Sequence, residues 1–448
     1  MTLAARLTDA LAGSPLAESL AAGMSALVER RSGDAAAARI ADPALAGLAR
    51  VVATQPEVAG FLSHRPQLFE RIATIDAQTL AARADELEQQ IEPQPGEDLE
   101  QSLDALRLLR REETCLAACC DLGGLVSLEQ LARFLSVLAE CITRRALALA
   151  LTSLPAGEAR PTLAILGMGK IAGREFTYHS DLDLVFLFHG EAEDVAPASR
   201  IGQRLISYLT TMTGAGFAYA VDTRLRPSGR QGMLVASYGS FERYQRDEAE
   251  TWEHVALLRT RAIAGETDTS QALLDTVREG VLAISSNPWE HLAELRQRVE
   301  EERASAEAEE QSIKTGAGGL MDLDFLAAGG LLEQGVETFP HFPSTPALLR
   351  AAVRSERVER WIADYQLLRR VEARARWCAG RAVETLAPEQ LTSVAELMER
   401  GLVGGELLEQ VRAARRRIRD VYAAVIEAKS IRAVSRNPSV RSDSERTR

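Results

Sequence analysis

Leu163-Ala-Ile-Leu-Gly-Met-Gly-Lys-Ile-Ala-Gly-Arg-Glu-Phe-Thr-Tyr-His-Ser-Asp-Leu-Asp-Leu-Val-Phe-Leu-Phe188 is the stretch whose reading decides the fold. Two apolar runs flank a polar loop punctuated by glycine. Each run is short enough for a strand, so the segment reads as strand, loop, strand. The second run opens on Ser180-Asp181-Leu182-Asp183. Side chains alternate along a strand, so Asp181 and Asp183 share a face and Leu182 points the other way. Two carboxylates side by side on a buried frame repel unless a cation sits between them. Mg²⁺, held by one or two carboxylates plus substrate phosphates, is the usual partner.

Downstream, Ile201 to Met212 has helical spacing, and Ala218 to Arg226 alternates until Pro227 ends it. On that expected third strand Asp222, Arg224 and Arg226 share a face. Asp222 then completes a three-carboxylate cluster, and the two guanidiniums face phosphate oxygens. The Gly167-Met-Gly169-Lys170 loop brings small residues and an ammonium close to phosphate, with Ser180 as a hydroxyl donor. Asp-x-Asp alone is common, Gly-x-Gly-Lys is commonly a plain turn, and the arginines would equally suit surface ion pairs. Their order along the chain is what points to phosphoryl or nucleotidyl transfer assisted by two metal ions. No Walker A pattern is present, which argues against a P-loop kinase.

Around this α/β unit the chain reads as helix. Val58, Phe61, Leu62, Leu68 and Ile72 have near-helical spacing, Pro93-Gln-Pro-Gly96 breaks the pattern, and Leu103, Leu106 and Leu109 resume it. The apolar period continues from Leu125 to Leu151, and Leu154 to Pro161 reads as a linker. Asn287 followed by Pro288 opens a later helix as N-cap and first helical residue. Trp361, Tyr365, Leu368, Val371, Ala375 and Cys378 form a core stripe, as do Leu407, Val411, Ala414, Ile418, Val421 and Val425. The acidic run Glu300 to Glu310 reads as a solvated face. The expected organisation is an N-terminal helical region (1–155), a nucleotidyltransferase unit with a mixed sheet (156–275), a C-terminal helical bundle (276–434) and a disordered tail (435–448).

At 448 residues and a net charge of −12 the chain is long enough for two or three domains and lacks the basic surface of a nucleic-acid binder. A template-dependent polymerase is the least suitable class. Cys115, Cys119, Cys120, Cys141 and Cys378 make an odd, clustered set, read as core thiols in a reducing cytoplasm rather than as a disulfide framework. No apolar run reaches the length of a membrane span, and the N-terminus does not read as a signal peptide.

Four ordered blocks carry a more specific resemblance: Gly167 to Leu184, Val221 to Val235, Phe241 to His254 with Arg259-Thr-Arg261, and Lys314-Thr-Gly-Ala-Gly-Gly-Leu-Met-Asp-Leu-Asp-Phe325. Together they resemble the glutamine synthetase adenylyltransferases of the DNA polymerase β-type nucleotidyltransferase superfamily. Gly60-Phe-Leu-Ser-His-Arg-Pro66 is consistent with the same family. The resemblance implies an α/β nucleotidyltransferase core and ATP as substrate, with Mg²⁺, as two ions, held by Asp181, Asp183 and Asp222. Those three would be the catalytic and metal residues, with Gly167, Gly169, Lys170, Ser180, Arg224 and Arg226 around the nucleotide. It implies glutamine synthetase as the protein partner and a PII-type signalling protein as a regulator, with no nucleic-acid or membrane partner. Members carry two catalytic halves, one adding AMP to a tyrosine and one removing it by phosphorolysis. This chain matches one half, with wording closest to the adenylylating one. A deadenylylase and a non-catalytic regulator are the alternatives. His179, Ala172 and Asp324 stand where members usually have a small residue, Gly and Glu. Gly318, Gly319, Asp322 and Asp324, at a loop entering a helix, suit either an anion at the helix N-terminus or a plain cap.

Overall fold

The computed structural model describes residues 2–30, 33–89, 98–154, 161–284, 288–302, 312–335, 339–353 and 356–436. The proline break at 93–96, most of the 154–161 linker, Asn287, the acidic residues 303–310 and the tail beyond 436 lie outside the described residues. Ser435 and Arg436, expected in the tail, close the last helix, Gly404–Arg436.

Five strands form one mixed sheet: β1 (Thr162–Met168), β2 (Leu182–His189), β3 (Val221–Asp222), β4 (Val235–Ser237) and β5 (Thr260–Gly265). β1 lies between β2 and β5 and runs antiparallel to both. The other edge of β2 is shared by β3 at its start and β4 at its end, both parallel to it.

Helices cover both faces of the sheet. Leu163 and Ile165 of β1, with Leu182, Leu184, Phe186 and Phe188 of β2, pack into one core with the helices that precede the sheet. Ala164, Leu166, Met168, Val185 and Leu187 point the other way, into a core built by the helices that follow. A strand buried on both faces reads as a continuous apolar run, which is why the two runs were legible. Each fully buried Leu or Phe contributes roughly 1.5–3 kcal/mol.

On the N-terminal side the longest helices are Leu99–Leu122 and Leu128–Thr152. Ser127 opens the second with a capping box: its Oγ accepts the Gln130 N–H, and the Gln130 side chain accepts the Ser127 N–H. On the C-terminal side Pro288 is the first residue of its helix, as expected. The first apolar stripe lies in the second core, as does the second apart from Ala414, which is buried outside it. The Thr267–Ile284 helix runs through the expected boundary at 275/276. No disulfide joins the five cysteines, four of which are buried and Cys378 half-buried. Among the described residues no helix is long and apolar enough to cross a membrane.

The expected third strand is corrected. Only Val221 and Asp222 pair with β2, and the chain turns from Thr223 onward. β4 and β5 were not read from sequence, and the helix expected over 201–212 is Val195–Thr210.

Candidate active site

The polar loop between β1 and β2 is pinned from both helical layers. From the N-terminal side, Ser136 Oγ accepts the Phe176 N–H (3.1 Å), Glu140 pairs with Arg174 (3.2 Å), and Asp121 accepts the Tyr178 hydroxyl (2.7 Å). From the C-terminal side, Tyr365 donates to Glu175 (2.7 Å), and Arg369 donates to the Glu175 carbonyl. Glu175 also accepts Arg259 (2.6 Å) and the Thr345 N–H (3.1 Å). Arg374 pairs with Asp121, so the two layers meet on one carboxylate. A loop over-determined in this way holds non-glycine residues at positive φ: Arg174 at 53° and His179 at 54°.

Gly169 has φ +61°, and an added Cβ would stand 3.5 Å from Asp183 Oδ2. The glycine thus serves both a left-handed backbone and a close approach to a carboxylate. Its N–H is engaged by the Arg259 carbonyl at 2.7 Å. Gly167 is different. It lies within β1, where a Cβ would come within 2.7 Å of the Ile171 side chain. Packing, rather than a phosphate cradle, requires glycine there.

Asp181 is exposed just ahead of β2, and Asp183 is the second residue of the strand, half-buried. Asp222 on β3 is the register partner of Asp183, and parallel neighbours in register project to the same side. The consequence is electrostatic. Burial first, then Asp181 and Asp222, push the Asp183 carboxyl up to about 7, against the pull of Lys314 and Lys170. Arg224 engages both oxygens of Asp222: its Nε lies 3.0 and 2.7 Å away and its N–H donates at 2.8 Å. Among the described residues no three His, Cys, Asp or Glu side chains are already drawn together as a metal cage. The donor chemistry nevertheless suits a hard divalent cation, since hard oxygen donors crowd here and Asp183 carries the cost of their repulsion.

The other site residues expected from sequence are placed as follows. Lys170 donates to Glu372 at 2.7 Å. Burial, then Arg369 and Arg376, pull its amine down to about 7 against the attraction of Glu372. Ser180 Oγ accepts the Thr177 N–H (3.1 Å) and faces Arg376 (3.4 Å), so it closes a turn. Arg224 and Arg226 do not share a strand face with Asp222. Arg224 folds back onto Asp222, and Arg226 donates to Thr223 (2.8 and 2.9 Å) and to the Gly232 carbonyl (3.2 Å). The chain leaves the sheet after Asp222, so the alternation that aligned them is lost.

His179 is buried enough to be held neutral, its pKa lowered to about 4 by burial, then by Arg110 and Arg376. Ala172 is buried, and its carbonyl accepts Arg261 Nε at 3.1 Å. Asp322, fully buried in the first turn of the Leu320–Gln334 helix, accepts the Gly318 N–H (2.9 Å) and Arg296 (2.5 Å), so it ties the preceding loop to the helix. Asp324 accepts Arg259 (2.9 Å) and Thr345 (2.6 Å). Both carboxylates of that loop are thus taken up by protein partners, and Gly319, the N-cap residue of the helix, receives no side-chain cap.

Sequence reasoning missed Glu372, Arg369, Arg376, Glu175 and Lys314. The signal lay in Leu368-Arg-Arg-Val-Glu-Ala-Arg-Ala-Arg-Trp377, where charges interrupt an apolar helix. Arg369, Glu372, Arg374 and Arg376 are all buried in the Val358–Ala379 helix. A buried charge needs a partner, so each of them points to another charged group in the interior.

Fold and site together define a mixed-sheet protein, helix-covered on both faces, with an acidic cluster where β2 and β3 begin. Residues 45–276 match the family model described as glutamate-ammonia ligase adenylyltransferase. The chain belongs to that family. Residues 290–426 match a second model, GlnD PII-uridylyltransferase. Three relatives named bifunctional glutamine synthetase adenylyltransferase/adenylyl-removing enzyme illustrate the similarity. That of Thioalkalivibrio sulfidiphilus is 33% identical over 314 residues, covering 63% of this chain and 32% of the relative. That of Chromobacterium violaceum is 32% identical over 356 residues, covering 75% and 39%. That of Pseudomonas syringae pv. tomato is 32% identical over 423 residues, covering 85% and 41%. The chain thus spans 32–41% of the length of these curated relatives.

Proposed function

We propose that this chain is a divalent-cation-dependent nucleotidyltransferase that moves AMP from ATP to a tyrosine of glutamine synthetase. The observation that carries the reading is the register of Asp183 with Asp222, with Asp181 two residues away, at the edge of a sheet built from the family's matched region. Asp181, Asp183 and Asp222 would hold the cation, which supplies charge neutralisation for the triphosphate. Gly169 leaves room beside Asp183 for that to happen. Lys170 and Lys314 bring positive charge towards Asp183 from two separate stretches of the chain. Arg224, exposed and held among the described residues through Asp222, would be free to turn toward phosphate once a cation takes over that carboxylate. In the transfer itself the phenol oxygen bonds to the α-phosphorus, the bond to the β-phosphate oxygen breaks, and pyrophosphate leaves with that electron pair. The phenolic proton is shed to water.

We take residues 156–275 as the nucleotidyltransferase unit and the flanking helices as the walls of a cleft for the protein substrate. The second family match favours a PII-type regulator, and five cysteines joined by no disulfide favour a reducing, cytoplasmic setting. The relatives' printed names carry both activities, so removal of AMP by phosphate is the second reading. One experiment separates the two. Glutamine synthetase is incubated with the chain, ATP and Mg²⁺, and in parallel the adenylylated form is incubated with phosphate. Mass spectrometry follows the tyrosine. AMP on the tyrosine, lost with Asp181→Asn or Asp183→Asn, is expected. Release of ADP in the phosphate arm alone would reverse the direction, and no change in either arm would overturn both readings.

A further inference from the structure

A cavity of about 470 Å³ opens between the Pro56–Ser63 and Leu99–Leu122 helices, the turn at 212–217 and Trp377. Its volume is in the range of small-molecule sites. Arg107, Arg110 and Arg111 line it from a single helix, against one carboxylate, Glu57. Phe61, Phe217 and Trp377 supply aromatic walls.

The arginines there are incompletely used. Arg107 is 2% exposed and pairs with Asp104 at 2.8 Å, yet its buried Nε has no hydrogen-bond partner among the described residues. Arg110 lies over Phe217 (5.2 Å) and Tyr219 (4.9 Å) and donates to the Phe217 carbonyl at 3.2 Å. Arg111 lies over Phe61 at 4.2 Å. Stacking occupies the faces of a guanidinium and leaves donors at its edge. A buried donor without a partner is unfavourable, and an anion relieves it.

We propose that this cavity binds a small organic anion with an aromatic or aliphatic body. Its acid group lies on Arg107, Arg110 and Arg111, and its body lies against Phe61, Phe217 and Trp377. None of the three clustered aspartates lines the cavity. The link to them is His179, a lining residue whose left-handed backbone leads directly into Ser180 and Asp181. An occupant therefore bears on the segment that sets Asp181, from outside the acidic cluster. The site goes beyond the transfer reaction and does not depend on its direction.

The test uses a matched pair of probes, 4-phenylbutyrate and its uncharged amide 4-phenylbutanamide, titrated against the full chain by saturation-transfer NMR. The acid is expected to bind about tenfold more tightly than the amide, the difference one charge-assisted contact supplies. Arg111→Gln, at an exposed position, is expected to weaken the acid severalfold and leave the amide and the melting temperature unchanged. Arg110→Gln combined with it removes the preference altogether. Asp181→Asn is expected to bind the acid as the unaltered chain does, whether or not the chain transfers AMP. No binding of the acid, equal binding of acid and amide, an Arg111→Gln protein that binds the acid unchanged, or loss of binding in Asp181→Asn would each overturn the proposal.

Discussion

Replacing Glu372 by Gln removes one charge and almost no volume. The Glu372 carboxylate accepts Lys170 at 2.7 Å, lies 3.1 Å from Arg376, and is paired with Arg369. Despite burial, Arg369, Lys170 and Arg376 hold this carboxyl far below the usual carboxylate range, so it is ionised at any working pH. The substitution leaves Arg369 and Arg376 facing one another around an amide, and it strips Lys170, whose amine burial already pulls down to about 7, of the charge that favours its proton. Breaking a buried pair by removing one partner costs about 3–5 kcal/mol. The amide oxygen still accepts one hydrogen bond, so the lower end applies. Unfolding entropy grows with chain length, so at 448 residues the conversion is about 1 °C per kcal/mol and the melting temperature falls by roughly 3 °C. Circular dichroism in low-salt buffer at neutral pH measures it. The cause is checked by Lys170→Met, which removes the amine that Glu372 accepts. In that background Glu372→Gln should cost less, with a coupling of about 1–3 kcal/mol. A Glu372→Gln protein melting within about 1 °C of the unaltered chain would refute the electrostatic account. So would strict additivity with Lys170→Met.

Asp183 sits at about 7 in the fold against 3.8 as a free side chain, so the folded chain keeps a proton that the unfolded chain releases. Folded stability is therefore lost as pH rises from about 4 through 7. Without divalent cation, Asp183→Asn should melt above the unaltered chain at pH 8, and the gap should narrow toward pH 5. Mg²⁺ should close it by raising the unaltered chain alone, read by scanning fluorimetry across pH. Asp121→Asn leaves Arg374 buried with its charge unmatched and weakens the Tyr178 contact. A loss of about 3–5 kcal/mol is expected from urea unfolding. Gly318→Ala places a Cβ 1.9 Å from the Arg415 carbonyl at φ +73°, so the last helix must shift. Thermal stability should fall by several degrees, whereas Gly60→Ala, where a Cβ meets nothing within 4 Å, should not lower it.

The parts of the fold legible in the sequence are those set by local periodicity. The runs around Leu166 and Phe186 are apolar because both faces of the sheet are covered, and the stripes through Leu368 and Ile418 lie in the core. Asp181 and Asp183 were legible because a two-residue spacing fixes where side chains point. Arg224 and Arg226 were misplaced for the same reason, since alternation continues on paper past Thr223 while the pairing with β2 ends at Asp222. β5 was hidden because Arg261 is its second residue, buried with an ion pair to Glu140 some 121 residues away. Separation of that kind leaves no local pattern, and Glu372 beside Lys170, 202 residues apart, is another case.

Those long-range pairs bear on what counts as the site. The acidic cluster and its loop lie within the region matched to the adenylyltransferase family, residues 45–276. Lys314, Arg369, Glu372 and Arg376 lie within the second matched region, residues 290–426. Lys314 pulls on Asp183, Glu372 holds Lys170, and Arg376 faces Ser180. Asp121, from the helices before the sheet, takes both Tyr178 of the loop and Arg374 of the later helix. The charge at the start of β2 is thus set by residues from three stretches of chain. Cutting away the helices after the sheet would leave the three aspartates in place. It would also strip Lys170 of its counterion and expose the apolar face of Val185 and Leu187. The geometry around Asp183 belongs to the whole layered assembly, and the carboxylates alone do not define it.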